Sequence, residues 1–598
     1  MHDMRILLIF LLVFLTPLQA AQPATLTPGA SPEALQGALA AAIKSGVKKF
    51  VIPPGEYRVP KFTGKWFLTI KDTQDFEIEA ANVTLILEGP GNGFFDFSGC
   101  KRVTLRGITL RHETPPFAQM KIEAIAADEL SFDVRMSKGF PQNFDDPECF
   151  SETPTGYVFD PTTRQWKSGC LDLIAKKVER LGPGLFKLHW SRKSGTSMHP
   201  VAVGDFMAFR GRGLTDVYLG GCESMRLENV TIQSGGGFCY HENGGMGGNI
   251  YNELKVTYAP APKDAEMSPL IACNADAFHS SGTRQGPTLE RCFFEGMPDD
   301  GIAIHGSFQL VRALEGAKLV VAQKHGGRPA YQVGDRVCVL NKEGAPLGES
   351  RVKSINQRKE FTPHDTSFHA FKESRNFFEL ELDPPVPGTS VDSFTCNLDT
   401  LGNGYVLRGN TIRNHRARGM LLKAENGLVE NNLIDGSTIS GIVLNPEIWW
   451  AEAGYSRRVT VRGNTIRHCG YAMTGTWTTQ AGALTVYAAG PGLDAIGHDQ
   501  LVIENNIFEN NTGVNMLLDG LKNSRVNGNR FKHSQQQATK RGAQYVDTGA
   551  LIFIGRCDGL KLENNHTTKP GAAGTILLKC SPQAKNVEGA ENGIKVDP

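Results

Sequence analysis

One short unit recurs along this chain: an apolar stretch, a polar pair, then a second short apolar stretch. It reads VTLRGITL at 103–110, MRLENVTI at 225–232, PTLERCFF at 287–294, YVLRGNTI at 405–412, GLVENNLI at 427–434, VTVRGNTI at 459–466, LVIENNIF at 501–508, SRVNGNRF at 524–531 and LKLENNHT at 560–567. Where nothing intervenes the period is near 22: Asn410 to Asn432 is 22 residues and Asn506 to Asn529 is 23. Helical solenoids commonly repeat at about 33 residues or more. β-Branched and aromatic residues fill the apolar positions here, so strands are predicted. A single coil of this kind cannot bury its apolar face; stacked coils bury a continuous core and pair their strands in parallel. The pattern predicts an all-β chain, a right-handed parallel β-helix, with Asn410, Asn432, Asn464, Asn506, Asn529 and Asn565 stacked as a ladder of amides.

The N-terminal coil needs a cover. SPEALQGALAAAIKSG (31–46) has apolar residues at helical spacing, with Ser31 as N-cap and Gly46 as stop, and predicts a capping helix. Two long gaps break the period, 122 residues from Ile108 to Val230 and 118 from Cys292 to Asn410. The first holds LDLIAKKVERLGPGLFKLHW and then VAVGDFMAF; the second holds FQLVRALEGAKLVVAQ and then YQVGDRVCVL. Each shows two alternating strands around a turn, then a Val-Gly-Asp turn and another strand, as two copies of one antiparallel module would. The expected division is therefore β-helix with its cap at 21–111, a β-barrel-like insertion at 112–215, catalytic coils at 216–308, a second barrel at 309–397 and the remaining β-helix at 398–598. The insertions are expected to leave the coil at equivalent places and flank one face.

Residues 1–20, MHDMRILLIFLLVFLTPLQA, carry Arg5, an unbroken apolar run from Ile6 to Leu15, Pro17 and a small-residue end, the pattern of a signal peptide. The run is too short to span a bilayer, so a periplasmic or secreted protein with no stable membrane insertion is expected. With 63 basic against 62 acidic residues the net charge is +1, so no global field attracts nucleic acid. The 12 cysteines have no CxxC spacing and no Cys/His cluster has ligand spacing, so zinc is not expected. No cofactor is expected. Oligomeric state is left open.

Between the two gaps lies CNADAFHSSGTRQGPTLERCFFEGMPDDGIAIHG (273–306). Asp276 and Asp299 are 23 residues apart, one coil, and Asp300 adjoins Asp299. Coils stack about 4.8 Å apart, so three carboxylates meet and cannot all ionise easily. A shared, elevated proton beside an ionised partner suits acid/base cleavage of a glycosidic bond, although Asp-Asp-Gly is also ordinary turn chemistry. His279 and His305 lie close by in sequence. Arg416 and Arg418 in NHRARGMLL could bind hydroxyls. Glu447, Trp449, Trp450 and Glu452 lie in NPEIWWAEAG, a loop that lengthens one coil; paired Trp suits stacking on a sugar, and core packing is the alternative. The Gly-rich tract 234–249 opens no helix and is read as turns beside the site.

DAFHSSG, then EGMPDDGIAIHG one coil later, the following Val-Gly-Asp barrel, and RGMLL before WWAEAG together resemble glycoside hydrolase family 110, the bacterial α-1,3-galactosidases. The likeness runs in order over about residues 220–475. It implies a metal-independent, inverting exo-hydrolase acting on terminal α-linked galactose of a glycan. Carried over by position, Asp299 matches the general acid, and Asp276 and Asp300 match the pair that activates water. The outline is shared with the polygalacturonase-type β-helix hydrolases. The chain departs from the family at Ala303-Ile304-His305-Gly306, where Asn-Val-His-Gly is common, and at Asn445-Pro446-Glu447, where Gly-Asp precedes the Trp. A polysaccharide lyase and a non-catalytic carbohydrate-binding β-helix are the rival readings of the same fold.

Overall fold

The computed structural model describes residues 24–597 except 90, 171, 191–200, 325–328, 472–481, 489–494 and 538–545. The expected signal peptide, residues 1–20, lies outside the described residues. The chain is a parallel β-helix. A representative coil contributes three short strands, Arg418–Leu422, Leu428–Glu430 and Leu433–Ser437. Each pairs in parallel with its counterpart one coil on, at Ser440–Leu444, Thr460–Arg462 and Thr465–Arg467. The first strand of every coil builds one sheet, which carries the site. The other two, joined by the polar pair, build a second.

The polar pair now has a physical account. Its first residue turns the corner in the left-handed region: Gly409, Asn431, Gly463, Asn505, Gly528 and Asn564 have φ between 51° and 67°, where glycine and asparagine are tolerated best. Its second residue is the ladder. Side-chain amides run Asn410 to Asn432 (2.9 Å), to Asn464 (2.8 Å), to Asn506 (2.9 Å), to Asn529 (3.0 Å) and to Asn565 (3.0 Å). Each carbonyl oxygen also accepts the backbone N–H of the asparagine before it, as Asn464 does from Asn432. Asn464→Ala would leave two buried donors of Asn432 unmet, and a loss of about 2–3 kcal/mol in chemical denaturation is expected. Apolar stacks flank the ladder: Leu407, Val429, Val461, Ile503, Val526 and Leu562 are all buried.

The cap is a helix at Pro32–Ser45, with the Ser31 hydroxyl accepting from Ala34 N and Gly46 left-handed at its end; Leu35, Leu39 and Ala42 are buried.

Both insertions are antiparallel barrels of one strand order. In the second, Ile302–Glu315 pairs with Lys318–Gln323 and Phe394–Asn397, and Arg336–Leu340, Pro346–Gln357 and Asn376–Asp383 complete a closed six-stranded ring. In the first, Phe117–Ile125 pairs with Ser131–Met136 and Phe206–Arg210. Thr155–Phe159, Leu173–Ile174, Lys177–Gly182 and Leu185–His189 fill the same places, the fourth strand of the ring being broken at 175–176.

Two sequence readings need correction. The Val-Gly-Asp turns are not equivalent: Asp205 precedes the last strand of its barrel and Asp335 the third of its own. Both use the same local device, the carboxylate accepting a backbone N–H three residues back at 2.7 Å, and any strand entry can use it. Nor do the barrels leave the coil at equivalent places. The first leaves after Lys101–His112, just before the site sheet, and the chain returns into that sheet at Val217–Gly220. The second grows without a break out of the site-sheet strand Ile302–Glu315. They sit at successive corners and bracket the site sheet from its two ends.

Candidate active site

The coils that carry the aspartates are in register at Phe278 with Ile302, and Ile302 with Met420. Counting back two residues, Asp276, Asp300 and Arg418 occupy one position on three successive coils. The offset is 24 residues, so Asp300, not Asp299, stacks on Asp276; this coil is longer than the period near 22, and the expected 23-residue pairing falls one short. Asp299 lies one residue upstream, and all three still bring an oxygen within 4.8 Å of one another.

Their surroundings differ. Asp299 accepts from Arg210 (2.9 Å) and Arg416 (3.0 Å). Burial works against its charge, but Arg210, Arg416 and Arg418 prevail and hold its carboxyl at about 2. Asp276 is buried, and burial together with the charge of Asp299 raises it well above the usual carboxylate range. Asp300 is raised in the same way by burial, against the opposing pull of Arg418 at 2.9 Å. One ionised carboxylate thus stands beside two that favour the proton.

A ring of polar groups continues from this pair. His279 Nδ1 lies 2.8 Å from Asp276, and His279 Nε2 lies 2.9 Å from His305 Nε2. His305 Nε2 lies 3.8 Å from Glu452, which pairs with Lys423; Lys423 pairs with Glu447 (2.8 Å), and Glu447 with Arg418 (3.4 Å). Asp276, Asp299, Asp300, His279, His305, Arg416, Arg418, Glu447 and Glu452, nine of the sequence-derived candidates, are therefore brought together. Trp449 and Trp450 are not. They are 45% and 54% exposed on the hairpin between Glu447 and Glu452. Trp449 stacks on His369 (4.3 Å) and Trp450 lies under Lys324 (5.1 Å), both from the second barrel.

Four contributors were not singled out in the sequence. Arg210 and Asp172 come from the first barrel, Asp172 holding Arg416 at 3.2 Å. Lys423, fully buried, directly follows the strand Arg418–Leu422; a lysine just after an apolar strand was a readable signal. Phe238, in the Gly-rich tract, stacks on His279 at 4.4 Å, which places that tract beside the site. The aspartates lie close enough to share a cation, but three guanidiniums already balance them, and they are read as a carboxylate centre rather than as ligands.

Comparison with known proteins finds similarities in sequence and in fold. The right-handed β-helix region family matches residues 390–488. The α-1,3-galactosidase B of Phocaeicola vulgatus is 25% identical over 435 residues, 68% of this chain and 68% of that one. Another α-1,3-galactosidase B of the same organism is 26% identical over 473 residues, 71% of this chain and 74% of that one. The chain is similar in sequence to α-1,3-galactosidases over about two thirds of its length. Among solved structures, the Agl-KA catalytic domain is 12% identical and aligns with 96% of this chain and 69% of that one at a TM-score of 0.46. The departure at Asn445-Pro446-Glu447 supplies the carboxylate that joins Lys423 to Arg418.

Proposed function

We propose that this chain is an exported, exo-acting glycoside hydrolase that removes terminal α-1,3-linked galactose from glycans with inversion. The observation that carries the reading is the carboxylate trio, three groups with oxygens within 4.8 Å but opposed charge environments. Separated environments of this kind divide acid from base work. Asp276 and Asp300, at one position on adjacent coils, can share one water through bonds of about 2.7 Å each. Asp299, the more exposed member, faces the leaving oxygen and donates the proton. The arginines keep Asp299 ionised, so the sugar must draw arginine charge away from it before it can donate.

The separation of the nearest oxygens is shorter than the 6.5–9.5 Å of ordinary inverting pairs, about that of retaining ones, so stereochemistry is tested directly. NMR of the first-formed anomer from an α-1,3-galactoside should show β-galactose; α-galactose would refute inversion. Panels of α-1,3-, α-1,4- and α-1,6-galactosides test the linkage, and release of an ultraviolet-absorbing unsaturated sugar would sink the hydrolase itself. The donor role has its own test. Arg210 lowers Asp299, so Arg210→Gln should raise it. The alkaline limb of the pH–rate profile should then move up by about one pH unit. Movement of the acid limb instead would make Asp299 the base.

A further inference from the structure

The hydrogen bonds running from Asp276 through the two histidines can be counted in protons. Three bonds join Asp276 Oδ2 to His279 Nδ1 (2.8 Å), His279 Nε2 to His305 Nε2 (2.9 Å) and His305 Nδ1 to the carbonyl oxygen of Gly306 (2.6 Å). Each needs one proton. The Gly306 carbonyl can only accept, so His305 Nδ1 carries a proton. Two facing imidazole nitrogens bond only if one is protonated. The Asp276 contact takes the third. Two neutral imidazoles supply only two protons, so the chain of groups holds one more than an ionised aspartate and two neutral histidines.

That proton has three places to sit with no heavy atom moving. It can rest on Asp276, with both histidines neutral. It can cross to His279 Nδ1, leaving Asp276 ionised. The proton between the two Nε2 atoms can then pass to His305, which becomes the imidazolium while His279 returns to neutral. Bonds made and broken are N–H and O–H only, and the count stays at three throughout. The far end is prepared for the charge: Glu452 lies 3.8 Å from His305 Nε2.

We infer that His279 and His305 form a proton relay that takes the proton off Asp276, so that Asp276 becomes an ionised base without releasing a proton to water. The inference rests on the hydrolase reading for the role of Asp276, but the proton count does not. The histidines are positioning residues; neither needs to touch the sugar. The groups that face the relay are Asp299 and Asp300 beside Asp276, Arg418 on the next coil, Glu452, Lys423 and Glu447 at the far end, and His241 on the preceding coil, 5.2 Å from His279 ring to ring. Burial keeps both histidines below their ordinary range, so the proton returns to Asp276 at rest.

Two measurements test the relay. Neutron diffraction from deuterium-exchanged crystals of the full chain should show three deuterons on the three bonds. An empty gap between the two Nε2 atoms would overturn it, whatever the enzyme cleaves. His305→Gln can still donate to His279 but cannot take up its proton. Its acid limb should move up by about one pH unit, with turnover down ~10-fold on that limb and restored at higher pH, and KM within twofold. A loss uniform across pH, or one seen in KM, would mark His305 as a sugar contact or a structural residue and overturn the relay role, while the hydrolase reading stood.

Discussion

Asp299→Asn is expected to lower turnover by at least ~10²-fold while leaving the fold intact, because the amide is isosteric and cannot give a proton. The structure explains why folding should survive. Arg416 keeps Asp172, and Arg210 keeps the Tyr157 hydroxyl at 2.5 Å. Asp276→Asn and Asp300→Asn should fall by a similar factor, since each removes half of the grip on water. In Asp300→Asn, Arg418 keeps Glu447 as partner. Turnover by all three variants on an α-1,3-galactoside, with circular dichroism and unfolding curves alongside, is the measurement. Near-wild-type hydrolysis in all three would remove the trio from the chemistry and favour a binding role for this face.

Lys423→Met is the second large effect. The ammonium is buried with no exposed surface and is the cation shared by Glu447 and Glu452. Removing one partner from a buried ion pair costs about 3–5 kcal/mol, because the remaining charge is left without compensation. Here Glu452 would lose its cation beside His305, while Glu447 keeps Arg418 at 3.4 Å. Denaturant unfolding of Lys423→Met should show that loss, and activity should drop with it as the 447–452 hairpin loosens. Adding Glu447→Gln and Glu452→Gln should restore much of the stability, since replacing a whole buried cluster by neutral groups is often close to neutral. An unchanged unfolding midpoint in the single variant would show that the cluster is not buried as described.

Much of this architecture could be read from the residues. The Asn and Gly of the polar pair revealed the β-helix because a corner needs a left-handed residue and a ladder needs an amide, and few residue types serve either. Ser31 and Gly46 marked the cap for similar local reasons. The trio was legible because one-coil spacing is a local quantity. The register was not: whether Asp299 or Asp300 stacks on Asp276 depends on the length of two turns, and a period averaged over other coils misses it by one. Arg210 and Asp172 were hidden for a different reason. They reach the site only because the first barrel folds back over the coil, and no spacing in the sequence records that approach. Trp449 and Trp450 looked like sugar platforms by composition, but the hairpin turns them toward the second barrel.

The arginines that balance the aspartates also set when the site can exist. Arg416 lies 117 residues after Asp299, beyond the whole second barrel. A nascent chain that has just completed the 276–305 coils has its carboxylates but not the Arg416 and Arg418 cations, and neither Lys423 nor Glu452. The centre is therefore incomplete until both barrels and the coil after them have been synthesised. A fragment truncated before residue 416 should be inert, however well its own coils stack.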